Sequence, residues 1–115
     1  MEAVVRAWSK DLNDGDNAAV ARLFRLPATM IQDGFAFRFA TVRGLAAFHA
    51  SLPCSGRVVS ITVKGRNAVA VFRLGDRQTS KCDAPGTLAA ARFTIVGGKI
   101  TVWRQVPPPA QGPVA

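Results

Sequence analysis

The fold of this chain is decided by its N-terminal third, which reads AVVRAWSKDLNDGD at residues 3–16, AVARLF at 19–24 and PATMIQD at 27–33. The apolar residues of the first segment recur at helical spacing and share one face, while Arg6, Lys10 and Asp11 point outward. This apolar face consists of Val4, Val5, Trp8 and Leu12. The segment is therefore predicted to form an amphipathic helix.

A second helix is predicted directly after the break at Asp14-Gly15-Asp16. Asp16 or Asn17 can cap it by accepting a free backbone N–H, and Pro27 is expected to close it. Its buried stripe is formed by Ala19, Val20, Leu23 and Phe24.

The next part of the chain is predicted as strand over residues 28–39 and as a short third helix over 44–51. Phe35, Phe37 and Phe39 alternate with smaller or polar residues, as the apolar side of a half-buried strand does. The third helix turns Leu45 and Phe48 inward and stops at Pro53. The three phenylalanines are expected to form a hydrophobic wall.

The C-terminal half is predicted as a meander of antiparallel strands. Residues 58–64 pair with 67–74 around Gly65-Arg66, and strands at 87–96 and 99–106 turn at Gly97-Gly98, since glycine supplies the positive φ of a tight turn. In the first hairpin the expected facing pairs are Val59 with Phe72, Ile61 with Ala70, and Val63 with Ala68.

These elements predict one α+β domain over residues 1–106, followed by a proline-rich tail at 107–115 that is expected to be disordered. The order of the elements, LNDGD at 12–16 and GGKITVWR at 97–104 resemble the NTF2-like superfamily, also called SnoaL-like or ketosteroid-isomerase-like. The resemblance implies a cone in which three N-terminal helices pack on a curved antiparallel sheet around a pocket.

The second hairpin has two possible registers, and they put opposite faces of the last strand toward the pocket. A two-residue loop places Trp103 opposite Arg92, whereas a three-residue loop with a bulge places it opposite Ala91. The resemblance favours the second, with Trp103 inward beside Phe93 and Ala91, and Arg92 and Arg104 on the outer face.

The resemblance also shows where ketosteroid isomerases keep their acids and bases, a tyrosine and two aspartic acids around the pocket. This chain has Trp8 in place of the tyrosine, Gln32 in place of the aspartate base and Ala91 in place of the second acid. None of the three can transfer a proton near neutral pH. The chain is therefore interpreted as leaning away from enzymatic activity.

Two functions from different classes stay open. The first is a non-catalytic module that binds a small hydrophobic molecule in the pocket, without a cofactor, or that associates with itself, as a homodimer, or with a partner through the outer sheet face. The alternative is an isomerase, lyase or cyclase that uses His49 together with Asp33 or Gln32, with His49 and Asp33 as the acid and base. The predicted pocket residues are Trp8, Gln32, Phe48, His49, Ala91, Phe93 and Trp103. Simple packing in the core would also explain the aromatic residues among them.

The formal net charge of +8 invites a nucleic-acid partner, but the basic residues are dispersed and a solvated basic surface is favoured. No apolar run is long enough to span a membrane, and no signal peptide is visible, which points to a cytoplasmic protein.

The two cysteines, Cys54 and Cys82, give a different signal. Extending the register of the first hairpin puts Cys54 opposite about Arg77, so that Cys82 can fold back to form a disulfide worth about 3 kcal/mol. A disulfide would place the protein in a secreted or envelope location after removal of a leader. The two cysteines and one histidine make a poor metal site, and no metal is expected.

Overall fold

The computed structural model describes residues 1–109 of the 115-residue chain. Its elements are α1 (Glu2–Asp14), α2 (Asn17–Arg22), β1 (Phe24–Gln32), β2 (Phe35–Phe39), α3 (Val42–Ala50), β3 (Cys54–Lys64), β4 (Asn67–Asp76), β5 (Leu88–Val96) and β6 (Lys99–Val106). Residues 107–109 have no regular structure, and the predicted disordered tail otherwise falls on residues 110–115, outside the described residues. None of the described helices is long and apolar enough to cross a membrane.

Both predicted N-terminal helices are present, but α2 ends at Arg22, so Leu23 and Phe24 of its predicted buried stripe lie beyond it. Helix α1 buries Val5, Trp8 and Leu12 and ends at Gly15, whose φ of 77° is left-handed and suits glycine. The Asp16 side chain accepts a hydrogen bond from the backbone N–H of Ala19 at 3.1 Å and so caps α2. The break between the helices is thus fixed by one glycine and one aspartate.

The strands form one six-stranded sheet in the order β2-β1-β6-β5-β4-β3. Strand β1 runs parallel to β6. The chain can form this pair because β2, α3 and β3–β5 lie between the two strands and provide the long crossover that parallel neighbours need. The predicted α+β class is confirmed, while the prediction of a wholly antiparallel sheet is wrong for the β1–β6 pair. The third helix follows the β1–β2 hairpin.

The stretch predicted as strand over 28–39 is a hairpin of two strands. Asp33 and Gly34 form its turn with φ values of 53° and 79°, the positive pair that a two-residue turn of this kind requires. Pro27 lies inside β1 and does not close α2, which ends at Arg22. Aspartate tolerates the left-handed region, so Asp-Gly turns the chain where the sequence pattern looked continuous.

The β3–β4 hairpin turns at Gly65-Arg66 as predicted and pairs Ile61 with Ala70 and Val63 with Ala68. The prediction that Val59 faces Phe72 is wrong. Val59 lies in a bulge and is 53% exposed, and Val58 takes its place opposite Phe72. The extra residue shifts the far end of the hairpin by one position, so that Cys54 pairs with Asp76.

The β5–β6 hairpin has a two-residue turn at Gly97-Gly98, but Trp103 lies opposite Phe93. Both predicted partners, Arg92 and Ala91, are therefore wrong, because a register shift near Thr94 and Ile95 leaves one extra residue on β6. The predicted face is right, since Trp103 is buried and Arg104 is exposed.

The inner face of the sheet, defined as the side packed against the helices, carries the core. Trp8 lies at the centre, with its ring centroid 5.2 Å from that of Phe93, 5.6 Å from that of Phe72 and 6.1 Å from that of Trp103. The other side of the sheet is called the outer face below.

Candidate ligand-binding site

A cavity of about 300 Å³ lies between α1, the α3–β3 connection and the inner face of the sheet. Its lining is mostly apolar, with Gln32, Ser55 and Gln105 as neutral polar residues and Asp83 as the one charged residue among the described lining residues. The apolar part is formed by Trp8, Leu12, Leu52, Pro53, Phe72, Leu74, Ala89, Ala90, Ala91 and Trp103, and the remainder by Cys54 and Gly56.

Four of the predicted pocket residues line this cavity, and three lie outside its lining. The lining set includes Trp8, Gln32, Ala91 and Trp103. Phe93 is fully buried against Trp8, and Phe48 packs against Phe37 and Phe39 with ring centroids 5.9 and 5.4 Å away. His49, the third of these residues, is described next.

His49 is fully buried, and both ring nitrogens have a hydrogen-bond partner. Its Nδ1 donates to the carbonyl oxygen of Leu45 at 2.9 Å, and its Nε2 accepts from the Trp8 indole N–H at 3.2 Å. These contacts assign the neutral tautomer with the proton on Nδ1. Burial lowers the pKa of His49 from 6.5 to about 4, with the Leu45 carbonyl acting in the opposite direction and the Arg77 charge lowering it further.

The partner proposed for His49 lies elsewhere in the fold. Asp33 is exposed in the β1–β2 turn, and neither Asp33 nor His49 lines the cavity. The acid–base hypothesis gains no support from this placement and stays a prediction.

The neutral, buried state of His49 makes stability depend on pH. In the unfolded chain the pKa returns to about 6.5, so between pH 6.5 and 4 the unfolded state binds more protons and stability is lost as the pH falls. We expect the free energy of unfolding to drop by about 2 kcal/mol between pH 7 and pH 5 from this group alone. Urea unfolding at the two pH values measures it.

The control is His49→Gln, which can keep a donor and an acceptor but does not titrate. In the variant, the difference in unfolding free energy between pH 7 and pH 5 should be smaller by about 2 kcal/mol. An unchanged pH dependence would contradict a neutral buried His49.

Trp103 differs from Trp8 in the state of its indole N–H. The Trp8 N–H is satisfied by His49, whereas the Trp103 Nε1 is buried and has no hydrogen-bond partner within residues 1–109. A buried, unpaired N–H costs free energy that an acceptor placed beside it would recover. Trp103 itself lines the cavity.

The predicted disulfide is confirmed: Cys54 is bonded to Cys82, 28 residues later. It ties the loop between β4 and β5 to the start of β3, beside the cavity, and is compatible with an oxidising compartment. Cys54, Cys82 and Asp83 are the single cluster of potential metal ligands among the described residues. Both sulfurs are used in the disulfide, so the cluster offers a cation only one carboxylate.

Two roles are not predicted in the sequence analysis, those of Gln105 in the cavity lining and of Arg77 beneath the helices. Gln105 lies two residues after Trp103 on the same face, and strand periodicity alone could have found it. Arg77 lies in the connection between β4 and β5, where a charged residue is ordinarily exposed, yet it is only 5% exposed. Its guanidinium donates to the backbone carbonyls of Leu12, His49 and Leu52 at 2.7–2.9 Å, and to the side-chain oxygen of Asn17.

Of three comparisons with known proteins, the one with solved structures gives matches. No family model matches the sequence, and no curated protein is significantly similar to it. Solved structures do match. A protein assigned as a polyketide cyclase from Sinorhizobium meliloti superposes with a TM-score of 0.71 at 17% identity, over 90% of this chain and 94% of that one.

Two further structures carry the same fold. An NTF2-like protein of unknown function from Cytophaga hutchinsonii gives a TM-score of 0.71 at 11% identity, over 90% of this chain and 85% of that one. A protein with a ketosteroid isomerase-like fold from Catenulispora acidiphila, in complex with trimethylamine, gives a TM-score of 0.68 at 14% identity, over 92% of this chain and 85% of that one. The chain therefore has the fold of the NTF2-like superfamily, as its sequence predicts.

Proposed function

We propose that this protein is a non-catalytic binding module that holds a small, largely apolar molecule bearing a hydrogen-bond acceptor. The observation that carries the proposal is the unpaired Nε1–H of Trp103, a buried group on a residue that lines the cavity. A ligand carbonyl or ether oxygen beside it would satisfy that donor, and the alanine and leucine walls would take up the apolar body.

The charges of the site support a neutral ligand. Asp83, the one charged lining residue described, is exposed, and the neighbouring polar groups are the amides of Gln32 and Gln105. Amides can orient a polar ligand without demanding a charge on it. The Catenulispora acidiphila protein was solved in complex with trimethylamine, which supports the binding of small molecules by this type of fold but not the neutral charge of the ligand.

Catalysis by His49 and Asp33 is not favoured by a comparable observation. The imidazole is buried, and its pKa of about 4 would leave it neutral at pH 7, with both nitrogens already in use. A base whose lone pair already accepts a hydrogen bond from Trp8 is poorly placed to take a proton from a substrate.

A matched pair of ligands tests the proposal. 1-Tetralone and tetralin have nearly the same apolar body, but only the ketone carries an acceptor. A ligand that binds only the folded state raises the melting temperature, and we expect 1-tetralone to raise it more than tetralin. One hydrogen bond to a buried donor corresponds to a difference of up to about tenfold in affinity.

The Trp103→Phe variant should bring the two affinities together, because it removes the N–H and keeps an aromatic ring. Trp8→Phe is the matched control, since the Trp8 N–H is already bonded to His49 and its loss should leave the preference for the ketone intact. If neither compound shifts the melting temperature, or if the preference survives in Trp103→Phe, the proposal is wrong.

A further inference from the structure

A second cavity, larger than the first, opens between α1 and the β3–β4 hairpin. It has a volume of about 620 Å³, and none of its described lining residues is acidic. Its charged lining residues are all basic and exposed, and they are Arg6 and Lys10 from α1, Arg57 from β3 and Arg73 from β4. This cavity is called the basic groove below.

The four basic residues form two pairs, one on either side of the groove. Arg6 and Lys10 are four residues apart in α1 and are therefore neighbours on one face of the helix. Arg57 and Arg73 stand directly opposite each other. They lie on the outer face, because Phe72, which precedes Arg73, belongs to the core. Strand β3 is an edge strand, so the groove lies at the edge of the sheet, between α1 and the arginine pair.

The arginine pair has no counter-charge within the described chain. The ion pairs among residues 1–109 lie within α1, and neither involves Arg57 or Arg73. The Nη1 of Arg73 donates to the carbonyl oxygen of Gly86 at 2.8 Å, a neutral acceptor that holds the guanidinium at the groove wall. Like charges directly opposite each other destabilise a sheet, and an anion bound between these two would relieve the repulsion.

The helix pair has partners that an anion could replace. Arg6 lies 3.7 Å from the carboxylate of Glu2, and Lys10 lies 2.8 Å from that of Asp14. All four side chains are exposed, and exposed ion pairs of this kind contribute little to stability. Neither carboxylate belongs to the lining of the groove, so both basic side chains can turn toward a ligand there.

The floor of the groove is fixed in position and left open. The Ser9 hydroxyl donates to the carbonyl oxygen of Gly56, and the Ser55 hydroxyl lies 3.0 Å from Oδ1 of Asn13, so two buried serines tie α1 to β3. Gly75 lies two residues after Arg73, on the same side of β4. Neither a positive φ nor a close contact requires glycine there, since apart from its chain neighbours no heavy atom lies within 4 Å of where a Cβ would be.

We propose that the basic groove binds a small molecule bearing two phosphate groups, one held by each basic pair. Guanidinium and phosphate form bidentate, charge-assisted hydrogen bonds, and lysine adds a compact positive charge. The volume is in the range of small-molecule sites. The groove is a different opening from the cavity beside Trp103, although Ser55, Gly56 and Leu74 line both.

The lining favours a small molecule over nucleic acid. Among the described residues no aromatic side chain lines the groove, so nucleic-acid bases would find no stacking surface in it. A lipid headgroup with two phosphates offers the same chemistry as a free bisphosphate, and the test below separates these two sources.

The test compares fructose 1,6-bisphosphate with fructose 6-phosphate by isothermal titration calorimetry. We expect the bisphosphate to bind about tenfold more tightly or better, because only it can engage both pairs. Arg57→Gln/Arg73→Gln and Arg6→Gln/Lys10→Gln each remove the partners of one phosphate. Each variant should lower the affinity for the bisphosphate to about that of the native protein for the monophosphate.

Two further variants separate a site in the groove from a general effect of charge. Arg22→Gln/Arg43→Gln removes the same charge from exposed positions on α2 and α3 and should leave the affinity nearly unchanged. Gly75→Val keeps every charge but places a side chain in the groove, so it should weaken binding without lowering the melting temperature.

Equal affinities for the two sugar phosphates would overturn the proposal, as would equal losses in the control and groove variants or undiminished binding to Gly75→Val. A DNA duplex that binds more tightly than the bisphosphate, with the same losses in the groove variants, would identify nucleic acid instead. Phosphatidylcholine vesicles containing phosphatidylinositol bisphosphate are the remaining comparison. Tighter binding to these vesicles, lost in the groove variants, would support the two-phosphate site and identify a lipid as its source.

Discussion

Replacing Arg77 with methionine is expected to lower the free energy of unfolding by about 4 kcal/mol, the largest effect of any single substitution considered for this chain. Methionine fills much of the same space but donates no hydrogen bonds. The buried carbonyls of Leu12, His49 and Leu52 would each lose a charged donor. Urea unfolding followed by tryptophan fluorescence measures the loss.

The effect is large because Arg77 joins segments that are far apart in sequence. Leu12 and His49 lie in the last turns of α1 and α3, where backbone carbonyls lack partners inside the helix and carry partial negative charge. The guanidinium adds a charged donor to two carbonyls that also accept from the backbone N–H groups of Gly15 and Leu52. Burial lowers the pKa of Arg77. The dipoles of the carbonyl groups, instead of a carboxylate, balance the positive charge of its guanidinium.

Two further variants keep this prediction testable if Arg77→Met fails to fold. Arg77→Lys retains the charge but not the fork of donors, so an intermediate loss is expected. Arg104→Met makes the same substitution at an exposed position on β6 and should change stability by less than about 0.5 kcal/mol. Similar stabilities for Arg77→Met and Arg104→Met would contradict the role given to Arg77.

The contrast between Arg77 and Trp8 shows what the sequence could predict. Trp8 was placed correctly in the core because its neighbours repeat at helical spacing, which is a local signal. Arg77 has no such signal, since its burial depends on carbonyls 25 to 65 residues away that meet only in the folded chain. A single arginine in a polar segment predicts exposure on average, and tertiary structure overrides that expectation here.

The site shows the same division between local pattern and tertiary geometry. The inward face of Trp103 and the lining role of Gln32 could be predicted from strand alternation and family resemblance. The pairing of Trp103 with Phe93 could not, because one extra residue on β6 is enough to change the register. The free N–H of Trp103 also depends on what surrounds it in three dimensions.

Breaking the bond between Cys54 and Cys82 is expected to lower the free energy of unfolding by about 3.5 kcal/mol, the loop-closure value for residues 28 apart in sequence. The bond restricts the unfolded chain more than it adds contacts to the folded one. Unfolding in urea with and without a reductant measures the difference. The Cys54→Ala/Cys82→Ala variant is the control, because its stability should not respond to the reductant.

The same bond holds one wall of the cavity, so breaking it should also weaken ligand binding. Cys54 and Asp83 line the cavity, and the bond joins the β4–β5 loop to β3 at this point. Without it the loop gains conformational freedom that a ligand must remove on binding, so 1-tetralone should bind more weakly to the reduced protein. Two reactive thiols in unfolded, unreduced protein would show that the bond does not form. A normal affinity after full reduction would show instead that other contacts hold the wall, such as the hydrogen bonds from the Ser80 hydroxyl to the Pro53 carbonyl and from the Cys82 backbone N–H to the Asp76 carboxylate, both at 2.9 Å.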